Sequence, residues 1–319
     1  MNIWELMHIL QFSSYKYNEI SDRLVGQCAK FFSNHYGKWN GEEKENKKEN
    51  ERIRLSPSKL KSEYLSNETA KLYTATLTNK LVGYCCVQHL DIPGRGRVDW
   101  ITQLVVSKFH RGFGIANRLI RSFISTEKDE EKELLKACGL VTSHPYAIRA
   151  LESATKRRCN LQTTQEWSAD LIEHSQLAYV SGCELKEPSM IDTDFAVDHT
   201  EIDELIEKIK PSWPFGSLPR KHEFFAFVFF EDPPYEQRSV TLKLSMEDME
   251  QYETIDKAFH HLGVFEQLNK SGLNQADHVA GQAVVEKVKS MIVQGQSHDV
   301  TTIVDGIYPS FKLEVDIIF

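Results

Sequence analysis

The stretch Leu104-Val105-Val106-Ser107-Lys108-Phe109-His110-Arg111-Gly112-Phe113-Gly114-Ile115-Ala116 decides the fold of this chain. An apolar strand ends in a short basic turn, and two glycines one residue apart open a helix that the apolar spacing predicts to about Thr126. Backbone N–H groups and the positive end of a helix dipole attract an anion at such a turn. Gly112 and Gly114 lack side chains, so phosphate oxygens can approach the backbone, and Arg111 adds positive charge. The turn therefore predicts a pyrophosphate site.

Two familiar nucleotide sites do not fit this turn. A Walker loop needs Gly-Lys-Ser/Thr at the helix start, and Gly114-Ile115-Ala116 supplies neither side chain. A dinucleotide fold needs G-x-G-x-x-G and an acidic residue roughly 20 positions further on. The third glycine is missing, because Asn117 follows Ala116.

The stretch resembles the acetyl-coenzyme A loop of the GNAT acyltransferase superfamily, Q/R-x-x-G-x-G/A after a strand of the form L-x-V. Leu104-Val105-Val106 is the L-x-V, whereas Phe109 stands where that family usually has Gln or Arg. The resemblance implies binding of acetyl-CoA or another acyl-CoA. The implied binding residues are Leu104, Val105, Val106, His110, Arg111, Gly112, Phe113, Gly114, Ile115 and Ala116. An ordinary strand-turn-helix with glycines for tight packing is the alternative interpretation.

The flanking chain predicts the order of elements that the GNAT fold has. Its predicted elements are a helix over 18–35, a hairpin of strands 70–75 and 80–89 joined at Thr78-Asn79, a strand over 98–106, a charged helix over 127–136, a strand over 138–142 and a helix over 147–156. We therefore predict an α/β (α+β) fold, in which a GNAT-like mixed sheet flanked by helices occupies residues 1–184. A charged loop at about 41–54 is predicted to be mobile.

Charge separates the second part of the chain from the first. Residues 1–184 hold 26 Lys and Arg against 22 Asp and Glu, whereas residues 185–319 hold 12 against 24. We predict a second, smaller, acidic α+β domain over 185–319. Its aromatic run Phe224–Phe230 predicts a strand buried on both faces, with an apolar acceptor pocket as the alternative interpretation. The other predicted elements are a hairpin partner over Ser239–Leu244, helices over 247–262 and 282–293, and a final strand within 308–319.

Composition narrows the class of protein. The sequence shows no basic stripe with interleaved aromatics, so we expect no nucleic-acid partner. No apolar run approaches the ~18 residues that a membrane span needs, and the first residues lack the features of a secretory signal. Six cysteines without C-x-x-C spacing indicate packed thiols in a reducing, cytoplasmic setting, and we expect no structural metal. The oligomeric state stays open.

The GNAT resemblance also implies where catalysis takes place. In that family the acceptor amine attacks the thioester directly, with a base or water relay and an acid for the departing thiolate. Asp99 is the first candidate base, with the alternative that it only begins the strand beside Arg97. Gln103, expected on the same face of the strand, would hold a water. The usual Asn and Tyr positions of the family hold His144 and Leu151. Since Leu151 cannot donate a proton, His144 becomes the candidate acid or base, with Tyr146 or Ser153 nearby.

Two functions follow from these sequence features. The first is an acetyl-CoA-dependent N-acetyltransferase that acts on a small-molecule amine or a basic protein. The alternative is a GNAT-fold module that binds acyl-CoA without catalysis, which the residues at 109 and 151 suggest.

Overall fold

A computed structural model describes most of the chain before residue 235 and two strands after it. The described residues are 10–39, 51–125, 135–175, 177–195, 197–210, 213–234, 238–245 and 311–318. The strands are β1 (Leu10–Lys16), β2 (Lys71–Leu77), β3 (Lys80–Ile92), β4 (Gly96–Val106), β5 (Leu135–Thr142), β6 (Leu185–Lys186), β7 (Met190–Asp192), β8 (His222–Phe229), β9 (Arg238–Ser245) and β10 (Phe311–Ile318). The helices are α1 (Asp22–His35), α2 (Pro57–Lys59, continued by a π-helical turn, Leu60–Tyr64), α3 (Ile115–Ser125), α4 (Pro145–Thr155), α5 (Leu161–His174) and α6 (Thr200–Ile209).

Eight strands form one mixed sheet in the order β1-β2-β3-β4-β5-β8-β7-β6. Within this sheet β4 and β5 run parallel, and every other neighbouring pair is antiparallel. A parallel pair needs a crossover connection, and helix α3 lies in the connection between β4 and β5. The predicted α+β class, with a mixed sheet flanked by helices, is confirmed.

Local signals predicted the first half of the sheet well. The hairpin of β2 and β3 turns at Thr78 and Asn79, whose φ values of 47° and 63° are those of a two-residue turn with both central residues left-handed. Helices α1, α3 and α4 and strand β4 lie within a few residues of their predicted bounds. Strand β5 begins at Leu135, so the end of the predicted helix over 127–136 is strand, and residues 127–134 lie outside the described residues.

The charged segment predicted as a mobile loop over 41–54 is described only at its end. Arg52 forms a β-bridge with Lys38, and Ile53 is buried in the main core. The prediction is wrong for these last residues, because an isoleucine after the charged run gains stability by burial. Residues 41–50 lie outside the described part.

The expected domain boundary at 184/185 does not coincide with a break in the sheet. Strand β8, the predicted Phe-rich strand, pairs with β5 from Ala137↔Phe229 to Thr142↔Phe224 and is buried on both faces. Strands β6 and β7 then extend the same sheet beyond β8. Strands β6, β7 and β8 therefore complete the first sheet.

The second sheet also differs from the prediction. Strand β9 pairs with the C-terminal β10 in parallel, from Arg238↔Phe311 to Ser245↔Ile318, and not with β8 as a hairpin. The predicted C-terminal strand is confirmed. The helices predicted over 247–262 and 282–293 lie outside the described residues.

Helices cover both faces of the large sheet. An added Cβ at Gly83 would lie 3.0 Å from Ile115 and 3.3 Å from Leu119, so α3 packs on the face that Gly83 presents, with α4 beside it. Helix α1 packs on the other face, where the rings of Phe31 and Tyr84 lie 6.1 Å apart. Helix α5 shares that face, because its Leu171 belongs to a core with alternate β8 phenylalanines.

Candidate active site

The centre of the sheet contains a gap between its two parallel strands. The β4–β5 ladder begins at Arg97↔Leu135 and ends at Ile101↔Leu140, whereas β4 continues to Val106. On its other edge β4 stays paired with β3 to its last residue. The second half of β4 therefore has one edge without a strand partner in the described structure, and such an edge can pair with an extended ligand.

Backbone alternation identifies which residues face the gap. The Ser107 N–H donates to the Val82 carbonyl on β3 at 2.9 Å, so Val105, two residues earlier, also points its backbone groups toward β3. Leu104 and Val106 then direct their N–H and C=O groups into the gap. Of the three strand residues predicted to bind the acyl-CoA, these two have the required orientation. Val105 does not, because its backbone groups point to the β3 side.

A bulge in β4 separates two predicted catalytic residues. The register with β3 shifts between Cys86↔Gln103 and Val87↔Ile101, so Thr102 is an extra residue on β4. The side chains of Asp99 and Gln103 consequently lie on opposite faces of the sheet, although alternation alone put them on one face. Gln103 lies on the α1 and α5 face, and Asp99 lies on the α3 and α4 face.

The glycine turn has the backbone that its sequence predicted. Gly112 and Gly114 have φ values of 82° and 69°, and helix α3 starts at the next residue, Ile115. An added Cβ at Gly114 would meet no atom within 4 Å, so conformation and not space requires glycine there. The first N–H groups of α3 have no partner within the helix and point toward the turn.

Positive charge surrounds this turn. Burial lowers the pKa of His35 at the end of α1, and the charges of Lys108, Arg52 and Arg111 lower it further. Arg111 Nη2 donates to the His35 carbonyl at 2.9 Å, which joins the turn to α1. The buried Nδ1 of His110 has no hydrogen-bond partner among the described residues. An anion at the turn would relieve this accumulation of charge.

The remaining residues predicted at the turn have different surroundings. Phe109 is 71% exposed, with Lys108 Nζ 5.0 Å from its ring centre, so it contributes no hydrogen bond where the family has Gln or Arg. The Ile115 side chain is buried against Gly83 and offers only its backbone. Phe113 and Ala116 are half-buried and pack against the main core.

Asp99 lies in a closed ionic cluster and not in an open cleft. Its carboxylate is fully buried, 2.6 Å from His89 Nδ1 and 3.2 Å from Arg97 Nε. Both partners lie near the far end of β4 from the gap. The structure thus gives Asp99 a role in holding β3 and β4 together, and it is badly placed to receive a proton from an acceptor.

His144 has a capping role that the sequence did not predict. Its Nδ1 accepts a hydrogen bond from the Tyr146 N–H at 3.2 Å, as the N-cap of α4. Desolvation and then the charge of Arg111 lower the pKa of His144 to about 4. The ring is therefore neutral at neutral pH, and its basic nitrogen is already bonded.

The predicted substitutes for the family tyrosine have structural contacts. Leu151 is fully buried in the main core. The Ser153 hydroxyl accepts a hydrogen bond from Asn117 Nδ2 at 2.7 Å and thereby joins α4 to α3. Tyr146 is half-buried at the start of α4, with its ring centre 5.7 Å from that of His144.

A cluster that sequence analysis missed lies on the α1 and α5 face, and we call it the tyrosine pocket. It comprises Tyr36, Tyr64, Tyr179, Gln103 and Glu223. All three tyrosines are half-buried. The rings of Tyr64 and Tyr179 stack with their centres 5.7 Å apart. These residues come from five separate segments of the chain, and no local sequence pattern joins them.

Gln103 anchors the β4 side of the tyrosine pocket. Its Oε1 accepts a hydrogen bond from the Tyr84 hydroxyl at 2.5 Å. Burial raises the pKa of Tyr64, and a hydrogen bond to Gln103 partly offsets that rise. The amide that was predicted to hold a water is thus already bonded to two tyrosines.

Glu223 lies at the β8 side of the tyrosine pocket, in the second residue of that strand. Its Oε2 accepts a hydrogen bond from the Thr193 hydroxyl at 2.9 Å, and the Ser143 N–H donates to the same carboxylate. Burial raises its pKa to about 7. Its charge in turn raises the pKa values of the pocket tyrosines, after burial as the first cause for each. The one sequence signal for Glu223 is a carboxyl near the start of an otherwise largely apolar, aromatic strand.

The structure is a mixed α/β sheet in which the two parallel strands, β4 and β5, separate beside a basic glycine turn. Residues 33–154 match the model of the acetyltransferase (GNAT) family. Comparison with curated protein sequences gave no match. Among the described residues no helix is long and apolar enough to cross a bilayer.

Solved structures that resemble the chain are acetyltransferases of low sequence identity. An aminoglycoside acetyltransferase from an uncultured soil metagenome is 16% identical over 42% of this chain and 78% of its own, with a TM-score of 0.31. The ribosomal-protein-S18-alanine N-acetyltransferase of Escherichia coli is 15% identical over 45% and 76%, with a TM-score of 0.31. Arabidopsis thaliana Naa50, in complex with a bisubstrate analogue, is 11% identical over 69% and 99%, with a TM-score of 0.33. These values carry no inference about a substrate.

Proposed function

We propose that this protein transfers an acetyl group from acetyl-CoA, or the acyl group of a related thioester, to an amine. The observation that carries the proposal is the gap between β4 and β5 with the basic glycine turn at its end. Unpaired backbone groups of Leu104 and Val106 suit the amide-containing arm of coenzyme A. The turn from His110 to Gly114 and the start of α3 suit its pyrophosphate.

The chain's own residues account for the binding half of this proposal. Arg111 and the N–H groups at the start of α3 hold the phosphates, and the Leu104 and Val106 backbones orient the arm. A backbone N–H of β4 that faces the gap is suited to stabilise a developing oxyanion. The bound thioester supplies the electrophilic carbonyl. An acceptor amine then approaches from the tyrosine pocket, on the other side of Gln103.

Acetyl-CoA titration tests this proposal directly. We expect the melting temperature of the wild-type protein to rise with acetyl-CoA concentration, and Arg111→Ala to need a higher concentration for the same rise. Arg121→Ala is the matched control, because Arg121 is an exposed residue on α3 beyond the turn. If acetyl-CoA leaves the melting temperature of the wild type unchanged, the proposal is wrong.

A second candidate function is an acyl-CoA-binding module without catalysis. It is favoured by buried Leu151 at the family's tyrosine position and by His144, whose Nδ1 is already bonded as a helix cap. Release of free CoA thiol in the presence of an amine distinguishes the two, because a module would bind acetyl-CoA without releasing thiol. We propose a small-molecule amine or a basic protein as acceptor and the cytoplasm as location.

A further inference from the structure

We propose that the Glu223 carboxylate binds the ammonium group of the acceptor in the tyrosine pocket and takes up its proton. The inference rests on the proposed acetyl transfer. It identifies the group that takes up the proton, and it specifies that the acetyl group goes to a primary amine that binds as its cation. It starts from a geometric fact: the pocket lies on one face of the sheet at the level of the β4–β5 gap.

Glu223 and Gln103 lie on the same face of the sheet, on opposite sides of β5. Along β8 the side chains alternate, so Glu223 shares the face of Phe225, whose ring packs 5.6 Å from that of Trp100 beneath α5. The Ser143 N–H that donates to Glu223 belongs to the residue directly after β5. Glu223 is thereby fixed where β5 ends, beside the opening that β5 leaves along β4.

The carboxylate of Glu223 has hydrogen bonds but no cation. Within the described part of the chain neither a lysine nor an arginine forms an ion pair with it, and its protein partners are the Thr193 hydroxyl and the Ser143 N–H. A buried carboxylate without a counter-ion is costly. An ammonium group bound beside it would supply the missing charge.

The surrounding tyrosines suit the same ligand. Phenol rings attract cations, and three half-buried tyrosines lie near enough to Glu223 for its charge to raise the pKa of each. The groups that face Glu223 are the phenols of Tyr36, Tyr64 and Tyr179 and the thiol of Cys183, all of which are uncharged at neutral pH. The Glu223 carboxyl, whose pKa burial raises to about 7, is therefore the one group of this described cluster that ionises near neutral pH.

The proton balance of the reaction requires such a group. The acceptor nitrogen enters with three hydrogens and ends, as an amide, with one. Glu223 takes the first proton, which frees the lone pair, and later releases it to solvent. The nitrogen–carbon bond then forms, the carbon–sulfur bond breaks, and the second nitrogen proton passes to the departing thiolate.

Other candidate bases are less well placed than Glu223. Asp99 lies on the opposite face and is bonded to His89 and Arg97. The basic nitrogen of His144 accepts the hydrogen bond of a helix cap. Asp99 thus has an arginine partner and His144 has its basic nitrogen occupied, whereas Glu223 forms no ion pair within the described part of the chain.

The test compares two nucleophiles that differ in charge. At neutral pH 2-phenylethylamine is an ammonium ion that must lose a proton before attack, whereas hydroxylamine is largely uncharged. With acetyl-CoA as donor, we expect Glu223→Gln to lower kcat/KM for 2-phenylethylamine by about 100-fold and for hydroxylamine by less than about 10-fold. Glu231→Gln is the control, because Glu231 is an exposed carboxylate beyond the other end of β8.

A binding measurement gives a readout that does not depend on turnover. Calorimetric titration of 2-phenylethylamine into the acetyl-CoA-free protein should show binding that Glu223→Gln weakens at least about tenfold, while the affinity for acetyl-CoA stays unchanged. The inference would be overturned if Glu223→Gln lowered kcat/KM equally for the two nucleophiles or did not lower it at all. It would also be overturned if the wild type did not bind 2-phenylethylamine. Failure of acetyl-CoA to bind would instead refute the proposed function.

Discussion

Replacement of Glu223 by glutamine should stabilise the protein at neutral pH, because the native carboxyl is held where its charged form is disfavoured. Burial moves its pKa from 4.5 to about 7. Each pKa unit corresponds to about 1.4 kcal/mol, so the wild type loses about 3 kcal/mol of folding free energy through this group as pH rises.

Whether stability rises or falls with pH depends on which state, folded or unfolded, releases the Glu223 proton at the lower pH. Below the unfolded pKa of 4.5 both states are protonated, and the carboxyl behaves much like the amide of glutamine. Above 4.5 the unfolded chain loses its proton while the folded protein keeps it, so stability falls up to a pH of about 7. Glu223→Gln has no such loss. Its advantage over the wild type should grow from near zero at acid pH to about 3 kcal/mol on the alkaline side.

Urea unfolding across this pH range measures the effect. Glu152→Gln is the control because Glu152 is equally buried but paired, 2.7 Å from Arg149 and 3.2 Å from Arg158. Removing one partner of a buried pair destabilises a protein by about 3–5 kcal/mol, so this variant should shift in the opposite direction. A Glu223→Gln variant that is less stable than the wild type at alkaline pH, or that differs by a constant amount at every pH, would refute our account of the pocket.

Three further substitutions test other parts of the structure. Gly114→Ala puts a Cβ on a residue with φ of 69°, which should lower the free energy of unfolding by about 1–2 kcal/mol and weaken acetyl-CoA binding in calorimetry about tenfold. The control, Gly26→Ala inside α1, should stabilise the protein by about 0.5–1 kcal/mol and leave the affinity for acetyl-CoA unchanged. In Gly139→Ala the new methyl group would overlap the Phe227 ring, so the free energy of unfolding in urea should fall by at least about 1–3 kcal/mol. A second substitution, Phe227→Leu, should recover part of this stability. An unchanged free energy of unfolding in Gly139→Ala would contradict the β5–β8 pairing. Asp99→Asn should lower the free energy of unfolding by about 3–5 kcal/mol, while kcat per folded molecule stays within a few-fold of the wild-type value. A large loss of kcat with unchanged stability would instead identify Asp99 as the base.

The parts of the fold that sequence predicts are those that neighbouring residues determine. The turn at Thr78-Asn79, the glycine turn and the start of α3 depend on backbone conformations that a few adjacent residues specify. The same holds for the basic environment of the turn, since Lys108 and Arg111 are neighbours in the sequence. The cofactor half of the candidate site was therefore accessible from one short motif.

The sequence-based predictions fail where the position of a side chain depends on distant segments of the chain or on a single extra residue in a strand. The bulge at Thr102 reverses the alternation of β4, so Asp99 and Gln103 separate to opposite faces. No local pattern distinguishes a bulge from regular strand at this position. The pKa of His144 depends on its place as a helix cap beside Arg111, which the sequence alone does not show.

The domain boundary expected at 184/185 falls between strands of one sheet, and it separates the two halves of the proposed site. A charge difference between two parts of a chain describes their surfaces, whereas the pairing of β8 with β5 depends on apolar contacts such as those of Gly139 with Phe227. Because β8 continues the sheet on the far side of β5, it places Glu223 across β5 from Gln103 on the same face. The residues suited to hold the acyl donor thus precede the expected boundary, and the carboxylate suited to the acceptor follows it. On this account a domain ended at residue 184 retains the glycine turn but loses the group to which we assign the proton.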